Sequence, residues 1–479
     1  MLPRLAFGRT RRLHMVGIGG IGMSSIAQVL LARGYVVTGS DAKKSEVTDR
    51  LEALGATVYE GHDAAHVGDA DVVVYSSAVK VDQNPETQEA RLRRIPLIGR
   101  PVMLGELMRM QKGVGIAGTH GKTTTTSMTG LVLKHAGFDP TIIVGGKVAV
   151  FGGENAVAGE GDFIVIEADE YDRTFLRLTP IYAVVTNIEA DHLDIYRDLD
   201  DIKGAFAQYA ASVPFFGAAI LCLDDANVQD LLPRLGDRRV VTYGLARQAD
   251  LRADRIRREG DRTRFDVLWH GVALGEAAIH SPGTHNVRNA LAAVAVGLEL
   301  EIPFATIAEA LDAFTGVERR FEVIGEAGGV LVVDDYAHHP TEIRAALQAA
   351  TSAYPDRRIV AVFQPHLYSR TRDFLDEFAH SFRDADVLVL TDIYPAREQP
   401  IEGITGALLA ERTRALGHRD VQFVQDKAAL PAHLANLAQA GDLVLTMGAG
   451  DVHRFGKAFH AARAAAPAPA APESTGGAR

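Results

Sequence analysis

A single cysteine, Cys222, leaves this 479-residue chain without an intrachain disulfide or a thiolate metal cluster, as expected in a reducing compartment. Long apolar runs are missing too. None reaches the roughly 18 residues that a membrane helix needs, and the basic start MLPRLAFGRTRR has no apolar signal-peptide core. The expectation is a cytoplasmic protein with no membrane insertion. Positive charge is also in short supply. Lys and Arg number 50 against 61 Asp and Glu, a formal net charge of −11, and no basic patch stands out, which argues against nucleic-acid binding. Small anions remain eligible ligands, because loops and helix N-termini bind phosphate locally. What is present is the composition of a globular protein, 47% hydrophobic and 23% charged. Its length suggests roughly three domains, and either a monomer or a homodimer is compatible with it.

Val- and Ile-rich runs alternate with amphipathic stretches of helical length, the pattern of parallel sheets covered by helices. The predicted class is therefore α/β. A first block, 1–108, has strands LHMVGI (13–18), YVVTGSD (35–41) and DVVVYSSA (71–78). A second, 109–317, has GVGIAGT (113–119), DFIVIEAD (162–169), YAVVTN (182–187) and AAILCL (218–223), with a more β-rich insertion around 239–280. A third, 318–464, has GVLVVDDY (329–336), RIVAVFQP (358–365), DVLVL (386–390) and DLVLTMG (442–448). The Ala-Pro tail 465–479 reads as disordered.

Two glycine loops follow opening strands. Gly17, Gly19, Gly20 and Gly22 form GIGGIG between a strand and a helix, the spacing at which a backbone turns tightly and presents amides to a diphosphate. Asp41 ends the next strand. Alone, this pair suggests a NAD-dependent oxidoreductase with Asp41 on a ribose hydroxyl, or glycines that only permit close packing of helix on strand. The second loop is more specific. Gly118, Thr119, His120, Gly121, Lys122 and Thr123, followed by Thr124, sit between a strand and a Thr-rich helix. Amides of such a loop surround phosphates, Lys122 neutralises their charge, and the Thr123 hydroxyl can ligate Mg²⁺. It is a variant of the strict pattern, since Ile116 stands where the first glycine belongs and Gly115 comes one residue early. The reading is ATP binding by the second block.

AGTHGKTTTTSM resembles the ATP loop of the Mur ligase family, and EADEYD (167–172), TNIEADHLD (186–194), HNVRNALAA (285–293), GVERRFE (316–322) and DDYAHHPTE (334–342) match in order. The resemblance covers nearly the whole chain. It implies an N-terminal Rossmann-like domain for a uridine diphosphate substrate, a central phosphate-loop ATPase domain and a C-terminal Rossmann-like domain for an amino acid. It further implies ATP and two Mg²⁺ sites, with Thr123 and Glu167 serving one and Glu167 and His192 the other. Asn286 and Asn289 would contact adenine, Arg320 the phosphates and Asp335 the ribose. Lys122, Glu167, His192 and Arg320 would carry the chemistry. Without the resemblance, the two asparagines read as helix caps. On the uridine side the expected residues are the loop glycines with Ser40, Asp41 and Ser76.

In the third block Tyr336 and His338 follow one strand, and His366 and Arg370 the next, where ligand sites of open α/β sheets lie. Arg370 is either a carboxylate clamp or a surface charge. Alanine-adding family members show a run like PHLYSRT, present here at 365–371; many carry Arg where this chain has Leu367, so a second carboxylate contact does not transfer. The expected substrates are UDP-N-acetylmuramate, L-alanine and ATP, joined through an acyl phosphate. The nearest rival is the family's ligase that recycles a preformed tripeptide.

Overall fold

β1 (Arg12–Val16) is buried along RLHMV except at its first residue, and it lies at the centre of a five-stranded parallel sheet. Its neighbours are β2 (Val36–Asp41), β3 (Thr57–Glu60), β4 (Val72–Tyr75) and β5 (Leu97–Gly99), in the order β3-β2-β1-β4-β5. The chain leaves β1 toward β2 and later returns to β4 on the other side, so a crevice opens where the strand order reverses, beyond the carboxyl ends of β1 and β4. The GIGGIG loop lies at that point. This computed structural model describes residues 7–193, 195–396 and 398–465; the expected disordered tail, apart from Ala465, lies outside them.

A second sheet has ten strands: β6 (Lys112–Ala117), β7 (Thr141–Val148), β8 (Glu154–Val157), β9 (Phe163–Glu167), β10 (Tyr182–Val185), β11 (Ala218–Cys222), β12 (Val240–Gly244), β13 (Leu251–Glu259), β14 (Arg262–Trp269) and β15 (Val272–Ile279). Their order is β15-β14-β13-β12-β11-β10-β6-β9-β7-β8. β6 has β9 on one side and β10 on the other, both parallel, which gives a second reversal point directly above the phosphate loop. β13, β14 and β15, within the stretch 239–280 read as β-rich, form an antiparallel extension. β7 and β8, a hairpin pair at the far edge, were not foreseen.

The third sheet contains β16 (Glu322–Ala327), β17 (Val330–Asp335), β18 (Arg358–Phe363), β19 (Val387–Thr391), β20 (Val421–Val424) and β21 (Asp442–Met447), ordered β16-β17-β21-β18-β19-β20. Only β16 runs antiparallel. The runs of β17, β18, β19 and β21 are apolar almost throughout because helices cover both faces, and a separate hydrophobic cluster fills each face.

These three sheets fold as two compact units, divided between Val317 and Glu318. The first two sheets share one unit for a visible reason. A single hydrophobic cluster runs from Leu13, Met15 and Ile26 to Ile166, Phe175, Val185 and Tyr209, so the core does not stop at residue 108. Arg33 adds a polar tie by donating to Gln111 and Thr141.

Candidate active site

The loop after β6 is fixed from the loop after β10. Thr119 N donates to Asn187 O (3.0 Å), His120 N to Asn187 Oδ1 (2.8 Å), and Thr186 Oγ1 to His120 O (2.6 Å). Gly118 has φ +138° and Gly121 φ +82°. A Cβ on Gly118 would lie 2.0 Å from Thr186 Oγ1, and one on Gly121 would lie 2.5 Å from Asn289 Oδ1, so no larger residue fits either place. The helix Lys122–His135 starts at once, with Thr123 and Thr124 buried in its first turn.

Charge is concentrated at this point. Thr123 Oγ1 lies 3.0 Å from both oxygens of Glu167, the last residue of β9, and Gly145 N on β7 donates to Glu167 Oε2 at 2.6 Å. Burial raises the Glu167 pKa above the usual carboxylate value, while the Lys122 charge and the Gly145 amide oppose it. Lys122 Nζ donates to Gly118 O (2.7 Å), Thr119 O (3.1 Å) and both oxygens of Glu170 (2.9 and 2.8 Å). Burial alone would lower the lysine pKa. The charges of Glu170, Asp169 and Glu167 outweigh that and raise it above the ordinary lysine value. A hydroxyl and a carboxylate on one spot, all hard oxygen donors, fit Mg²⁺. His192 lies in the loop after β10 at φ +54°, its ring edge-on to Tyr171 with centroids 5.0 Å apart and its Nε2 3.7 Å from Asp191.

Asn286 and Asn289 do not cap their helix. Thr284–Glu299 starts from Gly283, which has no side chain to offer; Asn286 Nδ2 donates to Pro282 O (2.8 Å), Asn289 Nδ2 to Asn286 Oδ1 (3.2 Å), and both asparagines are buried. Asn289 of this inward pair sits against Gly121 of the phosphate loop.

At the first reversal point Gly17 has φ +79°, and a Cβ there would meet Ser76 Cβ at 3.0 Å, so Ser76 and the loop face the same crevice. Gly20 is the residue from which the helix Ile21–Ala32 starts, and Gly22 leaves space taken by the Arg100 guanidinium. Gly19 N donates to Asp41 Oδ2 at 2.9 Å, which commits that carboxylate to the loop backbone. Ser40 corrects the sequence reading. It is fully buried and its hydroxyl donates to the buried Glu86 at 2.6 Å, so its side chain braces the sheet instead of facing the crevice.

In the C-terminal unit, Asp335 ends β17 and accepts Phe321 N (2.8 Å) and Ala337 N (2.7 Å); burial pushes its pKa up to about 6 against the pull of Arg320. Arg320 lies over the Tyr336 ring, 5.1 Å from its centroid, with Glu342 3.7 Å away. Tyr336, His338, His366 and Arg370 make one chain of contacts. The rings of Tyr336 and His338 are 5.3 Å apart, those of His338 and His366 6.1 Å, and Arg370 NH1 is 3.5 Å from His366 Nδ1. Arg370 is 7% exposed, which removes the surface-charge alternative.

Comparison with known proteins finds likeness over most of the chain. Residues 12–112 match the domain described as Mur ligase family, catalytic domain; 116–297 match the Mur ligase middle domain; and 319–450 match the Mur ligase, glutamate ligase domain. A UDP-N-acetylmuramate--L-alanine ligase of Salinibacter ruber is 66% identical over 454 residues, 95% of each chain. The chain belongs to the Mur ligase family. The enzyme of the same name from Geobacter sulfurreducens is 55% identical over 95% of this chain and 98% of that one. Among solved structures, a UDP-N-acetylmuramate-alanine ligase from Thermotoga maritima superposes with a TM-score of 0.78 at 31% identity, covering 94% of this chain and 98% of its own. A murein peptide ligase from Psychrobacter arcticus gives 0.68 at 27%, covering 96% and 100%. This parentage displaces the oxidoreductase reading of GIGGIG.

Three residues of this Mur ligase escaped the sequence reading. Glu170 stood among four acids in EADEYD, and nothing in their spacing says which one meets Lys122. Arg100 opens the helix Arg100–Arg109, far in sequence from the glycine loop it covers. Tyr394 stacks on His366 with centroids 5.7 Å apart, from a loop 28 residues further along the chain.

Proposed function

We propose that this chain is an ATP-dependent ligase that joins L-alanine to the lactyl carboxylate of UDP-N-acetylmuramate, releasing ADP and phosphate, in cytoplasmic peptidoglycan synthesis. The observation that carries the reading is the part-buried set Lys122, Thr123 and Glu167 at the carboxyl ends of β6 and β9. That set suits phosphoryl transfer, and the likeness to alanine-adding relatives gives the acceptor and the amine. A carboxylate is a poor electrophile and needs a leaving group. ATP phosphorylates it, Lys122 balances charge on the transferring phosphoryl, and the resulting acyl phosphate is attacked by the alanine amine, expelling phosphate. Thr123 and Glu167 would hold one Mg²⁺, and Glu167 and His192 a second; when bound, these ions would supply further charge stabilisation.

The division of labour follows the three sheets. Residues 1–108 take the uridine diphosphate at Gly17, Gly19, Gly20, Gly22 and Ser76, with Asp41 holding the loop. Residues 109–317 take ATP at Gly118 to Thr124, with adenine against Asn286 and Asn289. Residues 318–464 offer Arg320 to phosphate, Asp335 to the ribose, and Tyr336, His338, His366 and Arg370 to the amino acid. Arg370 suits the alanine carboxylate because its planar fork can bind two oxygens.

Phosphate release with ATP, Mg²⁺ and UDP-N-acetylmuramate tests this. Release should depend on L-alanine and yield the alanyl product. Equal rates with no amine, or a preference for the tripeptide over L-alanine, would assign the chain another reaction.

A further inference from the structure

Lys122 already has an anion. Its ammonium has three protons, and all are taken: two point at carbonyls of its own loop, Gly118 O and Thr119 O, and the third at the Glu170 carboxylate, whose two oxygens lie 2.9 and 2.8 Å away. Glu170 is 3% exposed, and its backbone carbonyl accepts the hydroxyl of buried Tyr196 at 2.6 Å. It therefore cannot leave for solvent without moving a packed turn. The catalytic scheme above has no task for this group.

We infer that Glu170 is a positioning residue which holds the Lys122 ammonium as an internal counter-ion while the site is empty, and that the nucleotide phosphates must displace it. The inference rests on the ATP-ligase reading of the site. Two consequences follow. A lysine folded back on its own loop and neutralised there is unready for phosphate, so only the fraction released from Glu170 binds at full strength, and the apparent affinity is reduced by that fraction. The carboxylate also recaptures the lysine as products depart, which speeds ADP release. Glu170 thus weakens nucleotide binding and supports turnover, opposite to the effect of a residue that merely props the loop.

The test is calorimetric titration of the full chain with MgADP and MgATP, beside steady-state kinetics, for wild type, Glu170→Gln, Lys122→Met and the double variant. Glu170→Gln keeps the size and removes the charge. It should bind MgADP about tenfold more tightly, and KM for ATP and kcat should fall together. In the Lys122→Met background the same change should do little, since there is no ammonium left to release. Tyr196→Phe, which loosens the peptide of Glu170 without touching its carboxylate, should shift affinity in the same direction by less; it also serves if Glu170→Gln proves unstable in melting curves. Unchanged or weaker MgADP binding in both folded variants overturns the inference, as does an equal gain with and without Lys122, which would reduce Glu170 to a general repulsive charge. Wild type that binds no nucleotide would overturn the ligase reading itself.

Discussion

The two glycine loops occupy equivalent places, each following the first strand of its sheet where the strand order reverses, yet they are built differently. Around Gly17 to Gly22 the loop is held mostly by backbone: Gly17 N and Ile18 N donate to Ser40 O, Gly20 N to Gly17 O and Gly19 N to Asp41, with Ser76 and Arg100 at the edges. Around Gly118 to Thr123, strands β6, β9 and β10 deliver Lys122, Glu167, Glu170 and the Thr186–Asn187 brace to one part-buried spot. Glycine spacing states only where a diphosphate can approach. Chemistry is decided by what the neighbouring strands bring. The first loop, beside which the described residues show no counterpart of the Lys122–Thr123–Glu167 set, suits a substrate that is held and not cleaved; the second loop suits a phosphoryl group in transfer.

That contrast breaks most visibly at Lys122. Lys122→Ala should lower the ligation rate by about 10²–10³-fold or more, while equilibrium titration with UDP-N-acetylmuramate stays near wild type; loss of both would show that the two loops are not independent. Glu167→Ala or His192→Ala should cost about two orders of magnitude in kcat, with only partial recovery at raised Mg²⁺, and wild-type rates in either would remove that residue from the metal site. Arg370→Lys extends the comparison to the C-terminal unit. Charged hydrogen bonds contribute roughly 1.5–3 kcal/mol each, so losing the planar fork should lower kcat/KM for L-alanine about tenfold to a hundredfold with KM for ATP unchanged. The smallest effect is expected at the first loop. Gly17→Ala places a Cβ at φ +79° and 3.0 Å from Ser76, which should weaken the uridine nucleotide about tenfold and leave MgADP binding alone; the reverse pattern would exchange the roles of the two loops.

Much of this was legible because strand, glycine loop and helix are local signals. GIGGIG and GTHGKT follow strands β1 and β6, and Glu167 and Asp335 end the apolar strands β9 and β17, as their local sequence suggests. What could not be read depends on long-range packing. Ser40 has the polarity of a ligand residue, but its facing is set by Glu86, 46 residues away, which also gathers His62 and His66. β7 supplies Gly145, whose amide orients Glu167, from a strand that contains two adjacent glycines and carries little strand signal. Glu170 meets Lys122 only because the chain after β9 winds into a short turn, Tyr171–Arg177, whose pitch the run of acids does not reveal.

The central claim is that the muramyl carboxylate is activated by phosphorylation at the Lys122 loop. UDP-N-acetylmuramate labelled with ¹⁸O in its lactyl carboxylate decides it. Attack of that carboxylate on the γ-phosphorus leaves the bridging oxygen with the phosphoryl group when the alanine amine displaces it. The released inorganic phosphate should therefore carry one ¹⁸O per turnover, dependent on L-alanine. Phosphate free of label beside alanylated product would contradict an acyl phosphate and, with it, the role given to the phosphate loop.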